Sequence, residues 1–265
     1  MAAIKFLLAV CLAAWLVPAS ALADVFADIA ERGSVRIGVS AFVPWTVVKP
    51  NGDLLGYEVD VGEKIAADMG VRAEFRVYEW DKIIAALQKG EIDMIAAGMA
   101  ITPQRAMQVA FSNPYFASGV TLAANIEATK DIDSLEALNG PAVRIVTVSG
   151  TLAHDVAVRV FDQAELVVVT SAEEAEEAVV TGAAVGYVAS VPEARFLSLT
   201  HPEAVDLPLG KPLISSVAGF AVKIGEQNWL NFLNAWIASR QADRWLGSTY
   251  EYWFGTLDWQ AEAGK

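Results

Sequence analysis

Strand-like and helix-like segments alternate along this chain, and this alternation limits the possible folds more than any other feature of the sequence. Residues Ser34 to Ser40 alternate apolar and polar side chains, as a half-buried strand does. Tyr57 to Met69 carries apolar residues at helical spacing, and Gly70 follows at a common helix stop position. Strands that alternate with helices favour parallel sheets covered by helices on both faces. The sequence therefore predicts an α/β fold.

The alternation runs through two similar units that show no residue-level repeat. Strand-like passages near 122–125 and 215–220 join the units, and no Pro/Ser-rich linker separates them. Extended crossings of this kind suit a hinge between two lobes. One continuous α/β domain is the alternative interpretation. In the second unit we expect strands at 143–148, 166–169 and 184–188, and helices at 135–138, 151–161, 171–180 and 191–199.

The N-terminal residues 1–23 have the pattern of an export signal. Lys5 precedes an apolar stretch from Phe6 to Val17, and Ala21-Leu22-Ala23 fits an A-x-A cleavage pattern. The stretch is too short for a transmembrane anchor. We expect cleavage after Ala23 and export to the periplasm, and a buried N-terminal helix is the alternative. Cys11, the single cysteine, lies inside this segment, so the mature protein would have no thiol, disulfide or lipid anchor.

The composition and the motif content exclude several classes of function. The formal net charge is −13, which disfavours binding to nucleic acid or to an anionic membrane. The two histidines, His154 and His201, have neither triad nor metal-ligand spacing, and no G-x-G-x-x-G or Walker loop occurs. We therefore predict no enzymatic activity, no catalytic residue, no metal site and no cofactor.

The most informative stretch runs from Ala96 to Arg105. A buried strand ends there, small residues form a turn, and Thr102 with Pro103 begins a helix. Small residues let a ligand approach the backbone, and the amides at a helix N-terminus favour an anion. The helix dipole disfavours an arginine in this first turn, but Arg105 could hold a carboxylate with two parallel hydrogen bonds. A surface arginine paired with a nearby acid explains the sequence equally well.

A turn of the same type occurs in the second unit, at Val148-Ser149-Gly150-Thr151. Ordinary helix capping by Thr151 would by itself explain this pattern. The turn is of interest because it lies in the other unit. Two such turns could face each other across a cleft, which is where α/β folds place their ligands.

Aromatic residues at strand ends are the third element of a candidate site. Phe42 and Trp80 lie in predicted loops of the first unit and could flank the side chain of a ligand, or belong to the core. For Trp45, in the same region, a core position is favoured. The acidic run of Glu173, Glu174, Glu176 and Glu177 is typical of a solvated helix face.

Taken together, these segments resemble the family 3 solute-binding proteins, the polar amino-acid receptors of ABC importers. The resemblance covers nearly all of residues 24–265 and is densest over 34–122. The segments that carry it occur in family order and spacing: Val35-Arg36-Ile37-Gly38-Val39, Gly56-Tyr57-Glu58-Val59-Asp60-Val61, Trp80-Asp81-Lys82-Ile83-Ile84-Ala85-Ala86-Leu87, Gly90-Glu91-Ile92-Asp93-Met94-Ile95, Gly98-Met99-Ala100-Ile101-Thr102-Pro103-Gln104-Arg105, and Phe111-Ser112-Asn113-Pro114-Tyr115.

The resemblance implies a two-lobe periplasmic binding protein fold of type II, with a mainly parallel sheet in each lobe and two hinge crossings. Lobe 1 would hold residues 24–122 and 218–265, and lobe 2 would hold residues 123–217. The implied protein is a monomer that closes on a small carboxylate-bearing solute and delivers it to ABC permease subunits in the inner membrane.

The resemblance also implies roles for individual residues. Arg105 would bind the α-carboxylate of the ligand, and Ser190 aligns with an aspartate that holds the α-ammonium in many members of the family. The other residues expected to contact the ligand are the backbone of Ala97, Gly98 and Ala100, the turn of Gly150 and Thr151, and the aromatic side chains of Phe42 and Trp80.

Two departures from the family pattern bear on the ligand. Ala100 stands where the family often has a hydroxyl, so one side-chain bond to the carboxylate is missing. Ser190 is neutral and cannot offset a buried ammonium as an aspartate would. Either another acid does so, with Glu193 and Glu79 as candidates, or the ligand has no primary ammonium. Ser40 stands where receptors for basic amino acids can carry an acid, which argues against such ligands.

The leading hypothesis is therefore an extracytoplasmic transport receptor for an amino acid or a related carboxylate. The first alternative is a periplasmic dehydratase-like enzyme on the same fold, which would need a general acid such as Glu79 or Glu193. The second alternative is a ligand-sensing module that acts in trans on a membrane partner.

Overall fold

The structure is a computed structural model that describes residues 24–132, 134–255 and 259–260. The expected signal peptide at residues 1–23, with its cleavage after Ala23, lies outside the described residues.

The first unit alternates strands and helices from the start of the described chain. The helix predicted at Tyr57–Met69 has these bounds, and Thr102 caps a helix that begins at Pro103. The elements are α1 (Val25–Arg32), β1 (Ser34–Val39), β2 (Val47–Val48), β3 (Leu54–Leu55), α2 (Tyr57–Met69), β4 (Arg72–Val77), α3 (Trp80–Gln88), β5 (Met94–Ile95), α4 (Pro103–Ala106) and β6 (Ala110–Phe111).

The second unit follows without a linker, and the chain then returns to the first. The short helix predicted at 135–138 is wrong: these residues form a turn, and Gly140 and Pro141, which follow directly, disfavour the continuation of a helix. The elements are β7 (Phe116–Asn125), α5 (Ile126–Thr129), β8 (Arg144–Val148), α6 (Leu152–Val160), β9 (Glu165–Val169), α7 (Ala172–Val180), β10 (Gly186–Ser190), α8 (Val191–Thr200), β11 (Val205–Asp206), β12 (Ile214–Ala218), β13 (Ala221–Val222), α9 (Gln227–Ala242) and α10 (Trp245–Tyr250), followed by a π-helical turn (Glu251–Gly255).

The strands form two separate sheets, one in each lobe. The first has the order β4-β1-β5-β13-β6, in which β1 is parallel to β4 and β5, and β13 is antiparallel to β5 and β6. The second has the order β11-β7-β10-β8-β9, with β12 also paired to β7. Here β8, β9 and β10 are parallel, and β7 is antiparallel to each of its partners. The predicted two-lobe α/β fold is confirmed, and both sheets are mixed because one strand in each, β13 in the first and β7 in the second, runs against the others.

The chain crosses between the lobes twice, from β6 to β7 and from β12 to β13. Residues 116–122 had been expected in lobe 1, but the structure places them in the second sheet. The reason is that β7 pairs along its length with β12, from Phe116 opposite Ala218 to Val120 opposite Ile214. We propose on this basis that the first crossing lies at residues 112–115 and the second at 219–220.

Each lobe has a buried apolar core, and the C-terminal segment adds aromatic contacts to it. In lobe 2, Ile145, Phe161 and Val188 are almost fully buried. The ring of Phe254 packs at 4.8 Å from that of Trp45, between centroids. No helix in residues 24–132, 134–255 or 259–260 is long and apolar enough to span a membrane.

Candidate functional site

A cleft between the two lobes is lined by residues from both sheets. It has about 630 Å³ of empty space, part of which is open to solvent. Eight of the nine predicted site residues line it, and the ninth, Gly150, bonds to two of them. The lining residues of the first lobe are Phe42, Trp45, Trp80, Ala97, Gly98, Ala100 and Arg105, and those of the second are Ser118, Gly119, Val120, Val148, Thr151, Leu152, Ala153, Tyr187, Val188, Ala189, Ser190, Glu193, Ser216 and Ala218.

Arg105 presents a buried cation to this cleft. Its Nη1 donates to the carbonyl of Ala100 at 2.9 Å, and its Nη2 donates to the carbonyl of Gly150 across the cleft at 3.1 Å. Its guanidinium lies 5.3 Å from the centre of the Trp80 ring. Burial lowers the pKa of Arg105. Within the described part of the chain it forms no ion pair. The surface ion pair considered from the sequence is therefore absent there, and an anionic ligand would supply the missing charge.

In the turn before Arg105, the amide of Gly98 donates a hydrogen bond within the protein, whereas the amide of Ala100 does not. The Gly98 N–H donates to Glu58 Oε1 at 2.6 Å, so it cannot also bind a ligand. The Gly98 amide expected to assist binding is thus already used. The Ala100 amide has no acceptor among the described residues. Its two neighbours make the backbone bonds instead: the Ile101 amide donates to the Val217 carbonyl of β12, and the Met99 carbonyl accepts from the Gly219 amide. Ala100 lines the cleft, so its N–H is available to a carboxylate there.

The facing turn of lobe 2 caps helix α6 and touches lobe 1. Thr151 Oγ1 accepts a bond from the His154 amide at 3.0 Å and donates to the Val148 carbonyl at 2.8 Å, so its hydroxyl has the ordinary capping role. The Gly150 carbonyl accepts a bond from Trp80 Nε1 at 2.9 Å as well as the one from Arg105. Leu152 and Ala153 line the cleft, and amides in the first turn of a helix have no intrahelical acceptor.

Three aromatic rings form the apolar wall of the cleft on the side of lobe 1. Phe42 and Trp80 meet edge to face, with 5.5 Å between ring centroids. Trp45 also lines the cleft, although the sequence favoured a core position for it. It has both roles, since only 4% of it is exposed and its ring packs against Tyr57 and Phe116.

The lobe 2 side of the cleft has a buried carboxyl group, Glu193, next to Ser190. Ser190 caps helix α8 in a capping box: its hydroxyl accepts from the Glu193 amide at 3.5 Å, and Glu193 Oε2 accepts from the Ser190 amide at 3.0 Å. Glu193 lines the cleft and is only 8% exposed. Burial raises its pKa to about 7. Its Oε1 accepts no hydrogen bond from any residue that the structure describes.

Two further groups lie near Glu193 without neutralising it. Burial raises the pKa of Glu176 to about 7, and the charges of Glu193 and Glu173 add to the effect. The buried Tyr187, which lines the cleft, has its pKa raised by burial and by both Glu193 and Glu176. No described cation forms an ion pair with Glu176 or Glu193. By contrast Glu79, the other candidate acid, is exposed and does not line the cleft.

Sequence reasoning missed the second-lobe residues of the lining that belong to β7 and β12. Ser118, Gly119 and Val120 lie on β7, and Ser216 lies on β12. If residues 116–122 had been assigned to the second sheet, the β7 residues would have been predicted to line the cleft. In the described ranges, no group of three or more His, Cys, Asp or Glu residues is placed to hold a metal ion.

Comparison with known proteins now identifies the family. The model of the bacterial extracellular solute-binding proteins, family 3, matches residues 35–256. The chain belongs to this family. Membership confirms the resemblance seen in the sequence and makes the protein extracytoplasmic by class. Two of the segments that carried the resemblance, 80–87 and 98–105, contribute Trp80, Gly98, Ala100 and Arg105 to the lobe 1 side of the cleft.

Several curated relatives are named for the solute that they bind. The chain is 36% identical over 87 residues to the octopine-binding periplasmic protein of Rhizobium meliloti, and 37% identical over 83 residues to the L-arginine-binding protein of Pseudomonas aeruginosa. These matches cover 32% and 31% of this chain, and it spans only 30% and 32% of those relatives. The match to the Escherichia coli K12 L-cystine-binding protein TcyJ is 25% identical and covers 86% of this chain and 85% of the relative.

Solved structures show the same fold over nearly their whole length. The ancestral amino acid-binding protein AncCDT-1, a precursor of cyclohexadienyl dehydratase, matches with a TM-score of 0.80 and 31% identity, over 88% of this chain and 100% of that one. An ancestral arginine-binding protein bound to glutamine matches with a TM-score of 0.77 and 30% identity, over 85% and 99% of the two chains.

Proposed function

We propose that this protein is a receptor that binds an α-amino acid or a close derivative between its lobes and delivers it to an ABC importer. One observation carries the proposal: the cleft has a buried cation, Arg105, and a buried carboxyl group, Glu193, and neither forms an ion pair with another described residue. A ligand with both charges would neutralise the two ends at once. The relatives named above, which bind amino acids, support this class of ligand.

The carboxylate of the ligand would lie between Arg105 and the turn before it. The guanidinium is held by two backbone carbonyls and by the Trp80 ring, so its position is fixed before the ligand arrives. The amide of Ala100 adds a neutral donor, and the first amides of α6 add donors from the other lobe. Arginine keeps its charge when buried, so this end attracts an anion even in an empty cleft.

The ammonium of the ligand would lie at Glu193, and this is how we propose that the neutral Ser190 is compensated. The hydroxyl of Ser190 is already bonded as the cap of α8, whereas Glu193 lines the cleft and its Oε1 has no hydrogen-bond donor among the described residues. A buried carboxylate is stabilised by a cation at close range. The exposed Glu79 cannot provide this contact.

A thermal-shift screen tests the proposal with matched sets of compounds. One set is L-arginine, agmatine, which lacks the carboxylate, and 5-guanidinopentanoate, which lacks the α-amino group; a second is L-glutamine with its counterparts lacking either group. L-Lysine and L-cystine complete the screen. A bound solute raises the melting temperature by mass action. We expect a shift only from an intact amino acid, and an equal shift from a compound without the amino group would contradict the assignment of Glu193.

A dehydratase-like enzyme is the second candidate function, because a pKa of about 7 would leave Glu193 partly protonated at neutral pH. The similarity to AncCDT-1 also favours this candidate, because that binding protein is a precursor of a dehydratase. Incubation of the binding amino acid with the protein, followed by mass spectrometry, separates the two functions. A receptor returns the solute unchanged, whereas an enzyme yields a product lacking water.

We further propose that the protein acts as a monomer in the periplasm, with residues 1–23 removed. Intact-mass measurement of the exported protein would then give a chain that begins at Asp24. A chain that retains residues 1–23 would contradict the cleavage site, and a dimer in analytical ultracentrifugation would contradict the monomer.

A further inference from the structure

Two segments that carry the family resemblance have no place in the ligand contacts described above. They contain Glu58, at the start of α2, and Tyr115, just before β7. These side chains meet: Tyr115 Oη donates to Glu58 Oε1 at 2.5 Å, and both residues are buried. The same carboxylate oxygen accepts the Gly98 amide at 2.6 Å. Glu58 therefore joins the turn that precedes Arg105 to a residue at the first crossing.

The Gly98 turn is held from two sides. Gly98 has a φ of +60°, a conformation that suits glycine. A Cβ atom at this position would lie 3.1 Å from the Trp45 ring, so the indole closes one side of the turn. The Glu58 carboxylate holds the other side through the Gly98 amide. A shift of Glu58 would move the backbone that leads to the Ala100 amide and to Arg105.

Tyr115 in turn contacts both crossings between the lobes. Its amide donates to the Ala218 carbonyl at 3.1 Å, at the end of β12. Its ring stacks on Phe220 at 4.1 Å between centroids, with 11° between the ring planes. Phe220 lies in the second crossing and also exchanges hydrogen bonds with Ser112 in the first. A chain of direct contacts thus runs from the Gly98 turn, through Glu58 and Tyr115, to both crossings.

The bonding of Glu58 argues against a role in stability alone. The residue is fully buried, and its Oε2 has no hydrogen-bond partner. No basic side chain forms an ion pair with it in the described residues. A buried carboxyl group with an unbonded oxygen is costly, and a neutral residue of the same shape would cost less.

We propose that Glu58 is a positioning residue, which couples the carboxylate-binding turn to the hinge through its bond to Tyr115. When the ligand fixes the Gly98–Arg105 turn, the Glu58–Tyr115 contact transmits the constraint to the two crossings and favours lobe closure. This inference rests on the proposed function, because it assumes that Arg105 binds the ligand.

Hydrogen–deuterium exchange tests the coupling without a ligand, in wild type, Glu58→Met and Tyr115→Phe. Glu58→Met keeps the length of the side chain but removes the oxygen that accepts both bonds, and Asp60→Asn is the control, since it removes a carboxylate from the same helix. We expect faster exchange in the Gly98 turn and also at residues 112–116 and 218–220 in both variants, but not in the control. Faster exchange confined to the turn, or in neither place, would overturn the proposal.

Binding of L-arginine, L-lysine, L-glutamine and L-cystine by calorimetry gives the second readout. For whichever of these binds the wild type, we expect Glu58→Met and Tyr115→Phe each to weaken affinity at least about tenfold, with the double variant no weaker than either single variant. Glu58→Gln keeps an oxygen that can accept both bonds, so its affinity and melting temperature should stay near the wild-type values. If Glu58→Met and Tyr115→Phe keep their affinity while Arg105→Ala loses it, the result contradicts the coupling but not the proposed function. Unchanged affinity in Arg105→Ala sinks the proposed function.

Discussion

The two buried charged groups of the cleft, Arg105 in lobe 1 and Glu193 in lobe 2, differ in whether they keep their charge when no ligand is bound. Arg105 bonds to two backbone carbonyls and keeps its charge, because a guanidinium does not lose its proton in proteins. Glu193 has one bond, to an amide of its own capping box, and burial raises its pKa to about 7. In an empty cleft near neutral pH it can therefore discharge by binding a proton. The arginine end is a permanent anchor, whereas the glutamate end changes charge with pH and with ligand.

Arg105→Ala removes the buried cation of the cleft and should have the largest effect on binding. Removing one partner of a buried charge pair costs about 2–5 kcal/mol, which corresponds to a loss of affinity of about 30-fold or more. Calorimetry with the amino acid identified in the screen measures the loss. Arg105→Lys is the control, since it keeps a charge but not the two-donor geometry, and we expect an intermediate affinity. Wild-type affinity in Arg105→Ala would remove this residue from the site.

The glutamate end can be tested through the pH dependence of stability. The pKa of Glu193 is near 4.5 when unfolded and about 7 when folded, so between these pH values the unfolded chain binds fewer protons. Stability contributed by this group is therefore greatest below the unfolded pKa and falls as pH rises to about 7. A shift of this size is worth about 3 kcal/mol. Glu58 and Glu176, with pKa values also raised to about 7, act in the same direction.

Urea unfolding at pH 5 and pH 8 measures this effect, and Glu193→Gln isolates the part that belongs to Glu193. We expect the free energy of unfolding of the wild type to fall between the two pH values by more than that of the variant. An identical decrease in both proteins would show that Glu193 does not titrate as described.

Glu193→Gln also separates the charge of the residue from its capping role. Glutamine can accept the bond from the Ser190 amide, as it does in other capping boxes, but it has no charge to offer an ammonium. We expect about 2 kcal/mol of lost affinity for the amino acid, with the melting temperature at pH 8 unchanged or raised. Glu193→Ala is the comparison, because it removes both roles and should lower the melting temperature.

Trp80→Phe gives the smallest predicted effect and tests the contact between the lobes at the arginine end. It removes the indole N–H that donates to Gly150 and leaves a ring beside Arg105. We expect a loss of about 1 kcal/mol in binding. Trp229→Phe is the control, because it removes an indole bond to the Asp93 carbonyl outside the cleft lining. Equal losses in both variants would argue against a role of this contact in closure.

The same comparison shows what could be predicted from the sequence. The Arg105 turn is local: Thr102, Pro103 and Arg105 lie within one short segment, so capping rules place them correctly. The burial of Glu193 depends on how α7 and α8 pack, which no local pattern reveals. Glu176 illustrates this limit. It belongs to an acidic run interpreted as a solvated helix face, yet it is partly buried and interacts with Glu193.

Contacts between segments that are far apart in the sequence could not be predicted for the same reason. The bond between Glu58 and Tyr115 joins residues 57 positions apart, and the pairing of β7 with β12, on which the proposed crossings rest, joins segments almost 100 residues apart. Periodicity gave the elements of both lobes, but only the packed structure shows which of them share a sheet.

The most direct test of the account is a thermodynamic cycle at the glutamate end. Calorimetry would measure wild type and Glu193→Gln with the tightest-binding amino acid of the screen and with its counterpart lacking the α-amino group. If the ammonium lies at Glu193, the variant weakens binding of the amino acid at least about tenfold and leaves the counterpart unchanged. If Glu193→Gln weakens both compounds equally, the ammonium does not lie at Glu193, and the cleft does not hold its ligand by two opposite charges.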